Sequence, residues 1–275
     1  DYKMNDYAIA ELRSSDIPLL DSIKPDEWPS IAEIHEHYLK TRSCTCIKAI
    51  NTDNEILGIG TGITFEKTGW LAHIIVSKKQ QGKGIGRSIV QNLISFLRDE
   101  RGCSTVSLTA TEQGYPVYKK VGFTEESMYR IMIKPQGFTA SQGMSDKIHR
   151  SEPRHYAKML NIDRLASGEN REELLRNILA DGYVYIDDGK ILGFYLPHFG
   201  ESGVTAITEE AGIGLLQERM KEDKRIVLPE ENRIAYEYLL KNGYTEFKKI
   251  HRMILGKTFD RKPQYCYSRI GGFAG

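Results

Sequence analysis

The sequence predicts an α/β (α+β) fold made of two tandem, related domains, and three observations lead there. The stretch from Leu71 to Phe123 orders strand, glycine-spaced turn, helix, strand, short helix and strand, which implies a sheet with helices covering its faces. Apolar residues switch from alternation before the turn to a helical stripe after it. Landmarks of the first half recur in the second, the mark of a duplicated unit.

Taken in order, Ala8 to Arg13 reads as a short strand, followed by a turn and helix start at Ser14–Pro18. Pro29 to Lys40 reads as a helix, with proline in its first turn and Ile31, Ile34, Tyr38 and Leu39 at helical spacing. Ser43–Ile50 and Ile56–Phe65 read as strands joined by the turn Thr52-Asp53-Asn54-Glu55. Trp70 to Val76 is the next strand, with Ile74 and Val76 on one face and His73 and Ile75 on the other. The helix from Ile85 to about Asp99 carries Ile85, Ile89, Val90, Leu93, Ile94 and Leu97, a broad stripe to bury against a sheet. Thr105–Ala110 is a strand, Thr111–Lys120 a short helix and Met128–Ile133 a strand.

Pro135 to Asp146 is rich in Pro, Gly and Ser and marks the expected domain boundary, with one domain over 1–137 and the other over 147–275. Beyond it, helices are expected at Pro153–Ala166, Asn170–Ala180, Gly212–Met220 and Asn232–Lys241. Tyr183–Ile186 and Ile191–Leu196 form a hairpin around Asp187-Asp188-Gly189-Lys190. Arg225–Leu228 and Tyr244–Leu255 are strands, and Tyr265, Tyr267 and Arg269 alternate as one more.

The repeat rests on two matches. Asn54-Glu55-Ile56-Leu57-Gly58 resembles Gly189-Lys190-Ile191-Leu192-Gly193, and the segment Val117 to Glu125 resembles Tyr238 to Glu246. Only the first half keeps the glycine-rich loop; Ala211-Gly212-Ile213-Gly214 stands at the corresponding helix start in the second.

Composition bounds the function. With 38 basic and 37 acidic residues the net charge is +1, which gives no general attraction to nucleic acid or an anionic membrane. No apolar run is long enough to span a bilayer, and Asp1 to Ile9 lacks the apolar core of a signal peptide. Four scattered cysteines make no disulfide framework. Cys44 and Cys46 have no second pair to complete a metal site. The expectation is a reduced, cytoplasmic protein without a metal.

Within that frame, Gln81-Gly82-Lys83-Gly84-Ile85-Gly86 between a strand and a helix is a candidate anion cradle. Glycine permits the tight turn, and unpaired amides at the helix start point at the ligand. Lys78, Lys79 and Lys83 lie beside it, as phosphate partners or as a solvated rim. His73, one strand end away, carries an imidazole suited to accept a proton at neutral pH.

The loop Gln81–Gly86 after a strand, with Gly114, Tyr118, Gly122 and Phe123 downstream, resembles the GCN5-related N-acetyltransferases (GNAT superfamily). The segment Leu108 to Tyr118 looks like the branch with two such domains in tandem. In that branch the second domain is similar to what stands at Asn170-Arg171, Gly189, Gly193-Phe194, Asn232, Gly243-Tyr244 and Arg252-Met253. The resemblance implies that each domain is a mixed, largely antiparallel sheet with helices on both faces. It implies an N-acetyltransferase that moves an acetyl group from acetyl-coenzyme A, its co-substrate, to a primary amine in a ternary complex.

By that resemblance, Gln81, Gly82, Lys83, Gly84, Ile85 and Gly86 hold the pyrophosphate, with Arg87 and Ser88 adding donors. Ile74, Ile75 and Val76 splay from the neighbouring strand and pair with the pantetheine arm. Tyr118 protonates the leaving thiolate, and Tyr115, three residues earlier, is its substitute. Thr111 and Gly114 border the same site; Thr111 stands where the family often has Asn. His73 or, more weakly, Glu66 takes the proton of the amine, or a water relay does. Trp70, Glu112, Tyr195 and His198 are candidates for the acceptor site, with Phe199, Glu125 and Glu126 behind them; each also reads as an ordinary structural or solvated residue. The second domain is then a degenerate copy that shapes the acceptor site. The acceptor is expected to be a small molecule and the protein a monomer or homodimer. Two other readings stay open: a coenzyme A-binding sensor without turnover, and a scaffold that retains the fold.

Overall fold

The computed structural model describes residues 7–26, 28–139, 143–222 and 225–275. Residues 1–6, in the stretch that lacks the apolar core of a signal peptide, and residues 140–142 of the expected domain boundary lie outside the described residues. In chain order the first elements are β1 (Ala8–Glu11), α1 (Ala32–Lys40), β2 (Cys44–Ile50), β3 (Ile56–Phe65), β4 (Thr68–Val76), α2 (Ile85–Ser95), β5 (Thr105–Ala110), α3 (Tyr115–Lys120) and β6 (Thr124–Ile133). Then follow β7 (Ile148–Arg150), α4 (Pro153–Ser167), α5 (Glu172–Leu175), β8 (Tyr183–Asp187), β9 (Lys190–Tyr195), β10 (Val204–Ala206), α6 (Glu209–Arg219), β11 (Ile226–Pro229), α7 (Arg233–Lys241), β12 (Thr245–Gly256) and β13 (Cys266–Ser268).

The α/β class, with mixed, largely antiparallel sheets and flanking helices, is as the sequence predicts. Two compact units are present, and neither is continuous in sequence. The first runs to Leu108 and adds Pro116–Phe123 and Ile254–Lys257. The second comprises Thr109–Tyr115, Thr124–Met253 and Thr258–Gly275. Each therefore takes in chain from both sides of the segment 135–146.

In the first unit the strands run β1-β2-β3-β4-β5. The pairs from β1 to β4 are antiparallel, and β4–β5 is parallel. Gly58, Gly60 and Gly62 alternate along β3 and so share one face. A Cβ at Gly60 would lie 2.5 Å from Ile89 Cγ2 and 3.0 Å from Leu93 Cδ1. The missing side chains let α2 settle directly on the sheet. Its Ile85, Ile89, Val90 and Leu93 are buried there. An isolated helix of 11 residues is marginal in water. Four buried aliphatic side chains, each contributing about 1.5–3 kcal/mol, outweigh that deficit. The end of β12 completes this unit: Thr105 Oγ1 donates to the carbonyl of Lys257 at 2.5 Å, and a Cβ at Gly256 would meet the Ser104 carbonyl at 2.2 Å.

In the second unit β12, β6 and β11 are neighbours, and β13-β10-β9-β8-β7 form a separate antiparallel sheet. Its core gathers Met132, Tyr185, Leu215, Leu216, Leu239 and Tyr244. Three arginines are buried against carboxylates: Arg171 on Asp163, Arg252 on Glu126 and Arg269 on Glu201. Two expected helices are shorter than their sequence patterns. Residues 111–114 form a turn closed by Thr111, whose carbonyl accepts from Gly114 and Tyr115, so α3 starts at Tyr115 with Pro116 in its first turn. The pattern Asn170–Ala180 becomes the single turn α5 followed by a 3₁₀ segment over Arg176–Asp181. No described helix is long and apolar enough to cross a membrane.

Candidate active site

The cradle forms where β4 hands over to α2. A 3₁₀ turn over Lys78–Gln80 leads into the loop. Gln81 reaches back so that Nε2 donates to the Val76 carbonyl at 3.3 Å. Gly82 and Gly84 have φ of +79° and +84°, values that side chains avoid. A Cβ on either would project into open space, with nothing within 4 Å. Side chains there would stand in the open space over the loop. Gly84 is the N-cap of α2 and makes no side-chain cap bond. The first loop-to-helix bond runs from the Ser88 amide to the Gly84 carbonyl at 3.0 Å. The amides before it are the orphan donors of a helix start, at the positive end of its dipole. Gly86 packs close to Val76, which a Cβ would approach to 3.3 Å. Ile85 is buried, whereas Gln81, Lys83 and Arg87 are exposed and Ser88 half-buried. Lys78 and Lys79 are exposed, and Lys83 Nζ donates to Gln80 Oε1 at 2.8 Å.

The β4–β5 register runs from Thr68–Thr105 to Leu71–Leu108 and ends there, while β4 continues to Val76. On its other side Ile75 still faces Ile59 and Val76 faces Gly58. Ile74, Ile75 and Val76 thus lie on the length of β4 beyond its parallel partner. A register shift falls between Ile59 and Thr61 of β3, opposite His73. His73 itself has φ +48°; a non-glycine residue held there costs about 1–3 kcal/mol.

That bulge turns His73 into an aromatic corner. The Tyr38 hydroxyl lies 3.2 Å from His73 Nδ1. The ring centroids of His35, Tyr38 and Trp28 lie 5.1, 5.6 and 6.3 Å from that of His73, all edge to face. Tyr38 and His35 are fully buried, and Trp28 is 37% exposed. His35 Nδ1 donates to the Ile31 carbonyl at 2.7 Å, and burial lowers the pKa of its imidazole. Burial also pushes the Tyr38 phenol well up. Sequence reading singled out His73 but not Trp28 or His35, and took Tyr38 only as a core position. The available signal was His35 and Tyr38 three apart on one helix, hence on one side of it.

Tyr118 sits half-buried on α3, edge to face with Phe123 at 5.9 Å. Burial pushes its phenol up to about 12. In the second unit Tyr115 lies against His251 with centroids 4.3 Å apart. Glu125 contacts His251 Nδ1 at 2.5 Å, and the exposed Glu112 stands 3.4 Å from Nε2. Glu126 accepts from Arg252 Nε at 2.6 Å. Glu125 and Glu126 are therefore paired residues of β6 and not loop carboxylates, Glu125 exposed and Glu126 half-buried.

Trp70 is fully buried in β4, paired across to Ile63 and Ser107. Tyr195 is buried in β9 and its hydroxyl donates to Glu222, while His198 is exposed with φ +65°. Cys46 accepts from the Thr61 hydroxyl at 3.4 Å, and burial pushes its thiol up to about 11. The described residues contain no cluster of His, Cys, Asp or Glu suited to a metal.

The model of the Acetyltransferase (GNAT) family matches residues 8–123. A candidate acetyltransferase from Pyrococcus horikoshii superposes with a TM-score of 0.84 over 100% of this chain and 98% of its own, at 21% identity. The chain has the GNAT fold. A GCN5-related N-acetyltransferase from Sphaerobacter thermophilus shares that fold, with a TM-score of 0.61 and 12% identity over 94% of this chain and 98% of its own. So does the GCN5-related glucosamine N-acetyltransferase region of a fungal multi-domain β-N-acetylglucosaminidase, with a TM-score of 0.64 and 13% identity over 90% of this chain and 38% of that one. No curated protein matches the chain in sequence.

Proposed function

We propose that this protein transfers an acetyl group from acetyl-coenzyme A to a primary amine of a small molecule in a ternary complex. The observation that carries this reading is the turn 81–86: two left-handed glycines with open space above them, at the N-terminus of α2. A diphosphate fits such a place because backbone amides can approach it closely and the helix dipole favours its charge. Gln81 to Gly86 hold the diphosphate, and Arg87 and Ser88 add donors. The length of β4 past Leu71 offers backbone groups to an extended amide chain. Acetyl-coenzyme A supplies an acetyl thioester, which an amine can attack.

The chain's own residues do the rest. His73 takes the proton of the incoming ammonium, since only the neutral amine is a nucleophile. Tyr118 holds a proton for the leaving sulfur. A thiol ordinarily has a pKa of about 8–9, below that of the buried phenol. A desolvated thiolate is more basic than that, so the proton passes as the sulfur leaves. Placing amine and thioester together contributes much of the rate.

A titration of acetyl-coenzyme A into the purified protein is the test. The parent is expected to bind, and Gly84→Glu, which puts a carboxylate over the loop, to lose binding while still unfolding cooperatively, its thermal midpoint lowered only by the strain of a side chain at φ +84°. A folded parent that does not bind would leave a scaffold rather than an enzyme.

A further inference from the structure

We infer that Tyr38 is a positioning residue for His73: its buried hydroxyl accepts from Nδ1–H, fixes the ring and its tautomer, and leaves Nε2 as the basic nitrogen. This rests on the acetyl-transfer reading. The residues come from distant parts of the chain and meet only because the bulge opposite Gly60 redirects the His73 backbone.

The geometry has three parts. First, the Tyr38 oxygen lies 3.2 Å from Nδ1, within hydrogen-bond reach. A neutral imidazole carries one proton, and the nitrogen without it is the base. Tyr38 is fully buried, and burial keeps its phenol protonated, so the group beside Nδ1 is an uncharged hydroxyl and not a phenolate. Second, His35 packs edge-on to both rings, 5.5 Å from Tyr38 and 5.1 Å from His73. Its Nδ1–H is committed to the Ile31 carbonyl. Its Nε2 is buried without a hydrogen-bond partner, so it is a bare lone pair on a neutral ring that brings no charge to His73. Third, Trp28 stands edge-on to the His73 ring, 6.3 Å away and at 82°, which limits ring rotation.

Proton transfer then balances simply. An N–H bond forms at Nε2 as one breaks on the ammonium. The resulting imidazolium keeps its Nδ1–H on the Tyr38 oxygen, and the proton later leaves Nε2 for solvent. An oriented imidazole of this kind differs from one held by a carboxylate, because its orienting partner carries no charge.

The test reads the tautomer directly. Ring-nitrogen NMR of the full-length protein, with the His73 signals assigned by their loss in His73→Ala, is expected to show Nδ1 protonated and Nε2 bare in the neutral form. Tyr38→Phe keeps the aromatic ring and removes the hydroxyl. It should shift His73 toward the Nε2–H tautomer and lower kcat about tenfold, part of the roughly 100-fold or more that a general base contributes, with KM for acetyl-coenzyme A unchanged. An Nε2–H tautomer in the parent, or a Tyr38→Phe protein with unaltered tautomer and kcat, would overturn the inference. The titration of acetyl-coenzyme A separates the two failures: binding with the wrong tautomer sinks only the role of Tyr38, and no binding sinks the acetyl-transfer reading itself.

Discussion

Tyr118 is half-buried on α3, and its phenol rises from 10.0 to about 12 through burial alone. Its proton is therefore in place at every pH where acetyl transfer is practical. Tyr118→Phe should lower kcat about 100-fold, the low end of what a positioned acid supplies, without weakening acetyl-coenzyme A in a titration. Unchanged turnover in that variant would remove Tyr118 from the chemistry. The raised value also sets a pH dependence. An unfolded phenol ionises near 10 and the folded one near 12, so its contribution to stability is complete below pH 10 and is lost as pH rises through about 12. Any alkaline loss of kcat owed to Tyr118 should centre near 12; a limb near 10 that disappears in Tyr118→Phe would show a solvated phenol. At this scale the glycines were legible, because a strand-to-helix turn leaves few residues but glycine at a φ near +80°. The surroundings of His73 were not. Its left-handed backbone and its contacts with Trp28, His35 and Tyr38 depend on a β-bulge, and an alternating strand pattern carries no sign of where an extra residue is inserted.

Among the elements, α2 decides where the cradle points. Its stripe was plain in sequence, and Ile85, Ile89, Val90, Leu93 and Leu97 are all buried. The matching surface on β3 was written in the same sequence as Gly58, Gly60 and Gly62, but alternate glycines show only that something comes close, not which helix does. Substitution separates the positions. Gly60→Ala would push a methyl to 2.5 Å from the β-branched Ile89, which has little freedom to yield, and to 2.9 Å from Ile74. It should lower the unfolding free energy in urea by about 1–3 kcal/mol, the usual cost of overpacking, and weaken acetyl-coenzyme A by tilting α2. Gly62→Ala meets Leu93 and Leu97 at 3.3 Å and beyond, and should be much milder. Equal effects at the two positions would mean that α2 does not rest on this stripe. The short helices show the opposite limit of sequence reading. Thr111 to Gly114 has a helical look, yet the Gly114 amide donates to both the carbonyl and the side-chain Oγ1 of Thr111, and side chain–backbone competition of that kind favours turns over helix.

Across the whole molecule, the α/β class was legible, but the partition of strands between the compact units was not. A strand's alternation tells which face it buries and says nothing of which neighbour it pairs with. Late in the second half, the end of β12 and the residue after it, Ile254 to Lys257, belong to the first unit. There the Lys257 carbonyl takes the Thr105 hydroxyl, Gly256 lies against Ser104, and Leu255 lies beside Gly122. β6 in turn pairs with β11 in the second unit. A cut in the segment 135–146 therefore leaves the first unit without its Ile254–Lys257 segment and strips β6 of both its neighbours, β12 and β11. An uncovered sheet edge of that kind invites association. The fragment 1–137 is expected to lack the cooperative urea transition of the full chain, to self-associate on a sizing column, and to bind acetyl-coenzyme A at least tenfold more weakly, a loss of about 1.4 kcal/mol. Adding a peptide that spans residues 245–275 should recover part of that binding. A fragment that unfolds cooperatively at the parental midpoint and binds as the parent does would show that the Ile254–Lys257 segment is dispensable to the unit it completes.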